Sequence, residues 1–86
     1  MKYAIVIEKP AEKFITKLPK SERERVIRAI YGLPDKGDIK RLQGRKSTGL
    51  FRLRVGDYRI IYSVDGGRLT VFVVDAGNRG QIYNRY

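Results

Sequence analysis

Between Leu50 and Ala76 apolar and polar residues alternate in three runs, and two dipeptides, Gly56-Asp57 and Gly66-Gly67, separate them. Period-two alternation broken by two-residue glycine loops is the pattern of β-hairpins. Three strands are expected, 50–55, 58–65 and 68–76, joined as an antiparallel meander. Gly56 stands first in its loop, where a type II′ turn needs positive φ. The turns also sort the side chains, because successive residues of a strand point to opposite faces. Phe51, Leu53, Val55, Tyr58, Ile60, Tyr62 and Val64 share one face, which Leu69, Val71 and Val73 join if the turns set the register. Arg52, Arg54, Arg59, Ile61, Phe72 and Val74 take the other. The first face is the expected core.

The preceding residues supply a cover for it. Residues 1–9 are β-branched and aromatic enough for one more strand, which Pro10 ends. Ala11, Phe14, Ile15 and Leu18 then recur at helical spacing, and Pro19 closes that helix. Ser21 and Glu24 read as a capping box opening a second helix, whose apolar face carries Val26, Ile27, Ile30 and Tyr31. Gly32 and Pro34 stop it. Residues 34–48 hold three Gly or Pro and five Lys or Arg. They read as a basic loop anchored by Ile39 and Leu42 and ending in a short edge segment. The expected fold is α+β: a four-stranded twisted sheet with a helical hairpin on one face and a short C-terminal tail.

An 86-residue chain has room for one core, so residues 1–86 are read as one domain. It has no cysteine, which excludes a disulfide framework or thiolate metal site. It has no histidine either, which removes the commonest general base and metal ligand. No metal or other cofactor is expected. Residues 3–7 are too few for a signal-peptide core, and no apolar run approaches the roughly 20 residues of a membrane span. A cytoplasmic protein without a membrane partner is expected.

Nineteen Lys and Arg against nine Asp and Glu give a net charge of +10. Solubility alone asks for a magnitude of roughly 2 to 8 in a small domain. The excess points to a polyanion, nucleic acid first. Its sharpest local form is on the sheet. A two-residue loop at 56–57 sets Arg54 directly opposite Arg59, with Arg52 beside them, and like charges so placed repel. A phosphate would relieve the repulsion, and the planar guanidinium fork suits it. In the loop, Lys40, Arg41, Arg45 and Lys46 are candidate nucleic-acid contacts. In the tail, Gly77 and Gly80 are expected to bend the chain and return Arg79 and Tyr83 to the strand ends. Tyr83 either packs beside Ile82 or stacks on a base.

At these residues the chain resembles the RelE/ParE toxin superfamily. The likeness runs through Lys40-Arg-Leu-Gln-Gly, then Gly49-Leu-Phe-Arg-Leu-Arg-Val-Gly-Asp-Tyr-Arg-Ile-Ile-Tyr, and the closing Ala76-Gly-Asn-Arg-Gly-Gln-Ile-Tyr. A RelE-type resemblance implies a metal-independent, ribosome-dependent endoribonuclease that cuts mRNA in the ribosomal A site. It further implies a cognate acidic antitoxin, RelB-like. Arg52 and Arg59 would hold the scissile phosphate, Arg54 would fall where RelE uses a lysine as candidate base, and Arg79 would aid the leaving 5′-oxygen. Tyr83 would stack on the base and orient the 2′-hydroxyl. Two positions depart from the pattern: Arg54 cannot readily give up a proton, and Asn78 stands where many relatives carry His or Lys. The competing readings are a ParE-like toxin acting on DNA gyrase and a non-catalytic nucleic-acid-binding module.

Overall fold

The computed structural model describes residues 3–44 and 49–82. In chain order the elements are β1 (Ala4–Ile7), α1 (Lys9–Thr16), α2 (Lys20–Ile30), β2 (Asp38–Arg41), β3 (Phe51–Val55), β4 (Tyr58–Asp65), β5 (Thr70–Asn78) and α3 (Arg79–Ile82). The strands form one sheet in the order β1-β5-β4-β3-β2. The α+β architecture and the meander β3-β4-β5 match the sequence reading. The sheet has five strands rather than four, because part of the basic segment pairs with β3 from Asp38↔Arg54 to Arg41↔Phe51. A strand with one apolar residue, Ile39, carries little period-two signal. Sheet pairing decides it instead.

β1 extends the sheet at its other edge, parallel to β5 in the register Ala4↔Thr70 to Ile7↔Val73. The helical hairpin carries the chain from β1 across the sheet to β2 at the opposite edge, and the meander through β3 and β4 then brings β5 back beside β1. Pro10 does not precede α1 but occupies its first turn, where a missing N–H costs nothing. The capping box does not form. Pro19 is the N-cap of α2, no side chain caps that helix, and Ser21 and Glu24 lie inside it. The extended ψ of Pro19 starts the helix two residues earlier than a Ser21 cap would. Tyr31 is at the C-cap and 67% exposed, so it is not part of the apolar face.

The first hairpin has the expected register, Val55↔Tyr58 and Arg54↔Arg59, with Gly56 at φ 59°. The second does not close on Gly66-Gly67. Asp65 pairs with Thr70, so residues 66–69 form the loop and Leu69 takes φ 50° within it. The Asp65 side chain accepts the Arg68 N–H at 3.1 Å, holding that wider turn. Moving the pairing by two residues preserves the faces, and Val71 and Val73 remain in the core. Farther along, Tyr62 pairs with Val73 but Ile61 with Asp75, leaving Val74 as an extra residue. This bulge reverses the facing of the rest of β5. Ala76 then enters the core, while Asp75 and Gly77 face the arginine side.

The core lies between the helices and one sheet face. Ala11, Ile15, Val26, Ile30 and Leu33 meet Leu53, Val55, Ile60, Tyr62, Val71 and Val73 there. Phe51 stacks on Tyr62 at 5.5 Å, and Phe14 meets Tyr58 edge-on at 5.8 Å. The helices thus cover the face expected from alternation, and Arg52, Arg54 and Arg59 are on the other. Ile61 and Ile82 are also fully buried but stand outside that cluster. Register puts Ile61 on the arginine side, and α3, which carries Ile82, lies against β4 and β5. Among the described residues no helix is long and apolar enough to cross a membrane.

Candidate nucleic-acid interface

Two rows of side chains cross the face opposite the helices. Pairing sets Lys40, Arg52, Ile61 and Asp75 in one row, and Asp38, Arg54, Arg59 and Gly77 in the next. Gly77 has no side chain to compete with the neighbouring Arg59. An open groove of about 560 Å³ runs over this face, lined by Lys40, Arg41, Arg52, Arg59 and Arg79 with Leu42 and Gln43. A shallower hollow of about 360 Å³ shares Arg41, Leu42 and Gln43 with it and continues to Gly44 and Gly49. Together they make a cationic track with no acidic residue among the described residues that line it.

The arginines differ in how they are held. Arg52 keeps only 12% of its side chain exposed and forms an ion pair of 3.7 Å with Asp38, one strand over. Arg59 is 5% exposed, and its Nη1 donates to the carbonyls of Gly56 at 2.8 Å and Tyr58 at 3.0 Å. Burying a guanidinium is costly unless its protons are satisfied, and two carbonyls accept from Nη1 at no cost in charge. Arg79 opens α3, and its backbone N–H donates to the Asp57 carbonyl at 2.9 Å. β5 therefore runs straight through Gly77, which pairs with Arg59, and the chain turns only after Asn78. The expected bend at Gly77 is absent because the strand still has a partner there.

Arg54 is exposed and outside the groove lining, although it sits opposite Arg59. The structure thus brings Arg52, Arg59, Arg79, Lys40 and Arg41 together and leaves Arg54 on the rim. Tyr83, Arg45 and Lys46 lie outside the described residues. Sequence reasoning gave Leu42 only as an anchor and missed Gln43 and Asp38. The alternation in Asp38-Ile39-Lys40 is the one signal that could have put Asp38 and Lys40 on the arginine face.

On the helix side, Tyr58 donates its hydroxyl to Glu22 at 2.8 Å. That hydrogen bond, with lesser help from burial, raises the Tyr58 pKa above its ordinary value. Tyr62, beneath the helices, is pushed up to about 12 by burial.

The family model described as ParE toxin of type II toxin-antitoxin system, parDE, matches residues 5–83. Among solved structures, the archaeal RelE–RelB complex from Pyrococcus horikoshii OT3 contains a chain 31% identical. The match covers 94% of this chain and 99% of that one, with a TM-score of 0.73. The toxin–antitoxin complex RelBE2 from Mycobacterium tuberculosis has a chain 25% identical, with 92% and 100% covered and a TM-score of 0.77. The RelB–RelE antitoxin–toxin complex from Methanococcus jannaschii gives 28% identity, 94% and 98% coverage and a TM-score of 0.72. No curated protein sequence matches. A matched family model over nearly the whole chain, and a fold shared end to end with RelE, show that this chain belongs to the RelE/ParE superfamily of type II toxin–antitoxin toxins.

Proposed function

We propose that this toxin is a RelE-type, ribosome-dependent endoribonuclease that cuts mRNA. The observation that carries the reading is the convergence of Arg52, Arg59 and Arg79, from three different elements, on one groove with Lys40 and Arg41. A scissile phosphate seated there gains negative charge as the adjacent 2′-hydroxyl attacks it. The O2′–P bond forms and the P–O5′ bond breaks. The products are a 2′,3′-cyclic phosphate and a 5′-hydroxyl, with net transfer of one proton from O2′ to O5′. Guanidinium groups suit the first requirement, stabilising the developing charge, and each preorganised donor of this kind is worth about 10²–10³ in rate.

They do not suit the second requirement, moving the proton, because guanidinium does not deprotonate under these conditions. Arg79 assists the departing 5′-oxygen through a hydrogen bond, and Tyr83 orients the 2′-hydroxyl and stacks on the base. The remaining alignment comes from the ribosomal A site, which holds the message in an attacking geometry. Activity would be exercised in the cytoplasm, and a RelB-like antitoxin would restrain it, as the partners of the RelE chains from Pyrococcus, Mycobacterium and Methanococcus suggest by their presence in those complexes.

A second reading is favoured by the matching family model, which is named for ParE. In that reading the target is DNA gyrase and RNA stays intact. Inducing the chain and mapping 5′ ends on a translated message, while scoring gyrase-linked DNA breaks, separates the two. Codon-phased cuts that disappear when translation initiation is blocked are the expected result. DNA breaks without cuts would mean the ParE-like activity. Neither would mean a non-catalytic binder of nucleic acid.

A further inference from the structure

Arg59 and Arg79 come from different elements, yet both are fastened to the same turn. Three consecutive carbonyls, those of Gly56, Asp57 and Tyr58, accept from them: Gly56 and Tyr58 from Arg59 Nη1, and Asp57 from the Arg79 main chain. We propose that Gly56 is a positioning residue, whose carbonyl holds Arg59 so that the Nε and Nη2 edge of its guanidinium faces the scissile phosphate. The proposal rests on the phosphate-cleaving reading above.

The donor count supports it. Guanidinium has five N–H groups, and the two on Nη1 go to the two carbonyls. Three remain on Nη2 and Nε. No buried side-chain nitrogen among the described residues lacks a partner, so this edge is not sealed in the interior. Arg59 is one of the residues lining the groove, where such an edge can meet a ligand. Carbonyl dipoles have a further consequence. They satisfy Nη1 without cancelling the charge, whereas a carboxylate would, as Asp38 does in part for Arg52. Arg59 is therefore a buried, fixed cation with its full charge directed at a ligand, the kind of donor that needs no reorganisation during reaction.

Glycine suits the position where that carbonyl originates. Gly56 has φ 59°, the left-handed region that other residues enter at a cost. A Cβ there would meet the Arg25 guanidinium at 3.0–3.3 Å. Because Arg25 is the mobile end of a long side chain, backbone conformation is the larger constraint. Alanine at this position is expected to rotate the turn and its carbonyl away from Arg59. Asparagine tolerates left-handed φ better and should retain it.

The test uses full-length, ¹⁵N-labelled toxin and its Gly56→Ala and Gly56→Asn variants. In the wild type, the Arg59 Nη protons should be resolved and slow to exchange, because two bonds restrain the group. In Gly56→Ala these signals should collapse to an average. Cleavage on programmed ribosomes should then fall about 30- to 100-fold in kcat with KM within about threefold, since alignment rather than binding is lost. Gly56→Asn should recover most of kcat and the resolved signals. Unchanged signals and kcat in Gly56→Ala would overturn the proposal, as would equal impairment of both variants with KM rising in step. If Gly56→Ala does not fold, averaged Arg59 signals in the wild type would overturn it and resolved ones would support it. If the wild type cleaves nothing on ribosomes, the functional reading fails, and the spectra still decide whether Gly56 holds Arg59.

Discussion

Arg54 and Arg59 face each other across β3 and β4, yet one is exposed and the other is buried against main-chain carbonyls. The pairing foreseen from sequence is present, but its two members are not equivalent. Replacing Arg54 by Ala removes a like-charge neighbour and little else, so the melting temperature should hold or rise slightly. Replacing Arg59 by Ala leaves the carbonyls of Gly56 and Tyr58 without their donor, at about 1–3 kcal/mol. That variant should melt lower, contrary to the neutral or stabilising outcome that repulsion alone would give. Equal melting temperatures for the two variants would show that burial of Arg59 counts for nothing.

The place of Arg54 outside the groove also bears on chemistry. If this position worked as a general base, Arg54→Lys should speed single-turnover cleavage, because an ammonium can lose its proton and a guanidinium cannot. From the rim, it is expected to act only through charge. Arg54→Lys should then match the wild type, and Arg54→Ala should be slower by less than about tenfold. A marked gain for the lysine variant would return the base role to this position.

Much of this architecture was legible because β-alternation and glycine turns constrain a chain strongly. Gly56-Asp57 set the Arg54–Arg59 register, and the apolar face of β3 and β4 identified where the helices pack. The losses came where a tertiary choice overrode a local signal. The bulge at Val74 exists only in pairing with β4, and nothing in Val73-Val74-Asp75 distinguishes it from regular strand. β2 has too few apolar residues to announce itself, and the Ser21 box lost to a helix start fixed by Pro19. The candidate site was readable from sequence as a set of neighbouring arginines, but not in their ranking. Which guanidinium is buried, which pairs with Asp38 and which stays on the rim depends on side-chain geometry.

Charge in the groove predicts a salt dependence. Lys40 lies beside Arg52 in one row and lines the groove. If it contacts a phosphate of single-stranded RNA, log affinity against log salt should become shallower by about 0.7 in Lys40→Gln. Parallel lines for the variant and the wild type would place Lys40 off the RNA path.

Stability should also depend on alkaline pH. Burial pushes the Tyr62 phenol up to about 12, against about 10 in an unfolded chain. The unfolded state therefore loses this proton first. The associated stability is fully present below pH about 10 and lost as pH rises toward 12, to a total of about 2–3 kcal/mol. Tyr58 is shifted in the same direction through Glu22 and adds to the slope. Denaturant titrations of Tyr62→Phe between these pH values should give a flatter decline than the wild type. An identical decline would mean that the phenol is not protected by the helices.

A toxin with this face is expected to be carried with an inhibitor that neutralises it. The net charge of +10 and a groove whose described lining carries no acid define the complement: a small acidic antitoxin whose flexible segment folds on binding. Ordering such a segment costs free energy, so affinity has to come from a wide wrapped surface together with opposite charge. Carboxylates should approach Arg52 and Arg59, or the segment should displace the Tyr83 tail, and either arrangement blocks the groove. Association should be fast and should slow with added salt, since steering is screened over about 8–10 Å at physiological ionic strength. Expression of this chain alone should arrest growth, and co-expression with the neighbouring gene should restore it and yield a copurifying complex. Arg59→Ala should relieve the arrest without an antitoxin. If the wild-type chain accumulates harmlessly by itself and no acidic partner copurifies, neither the toxic activity nor its restraint by charge survives.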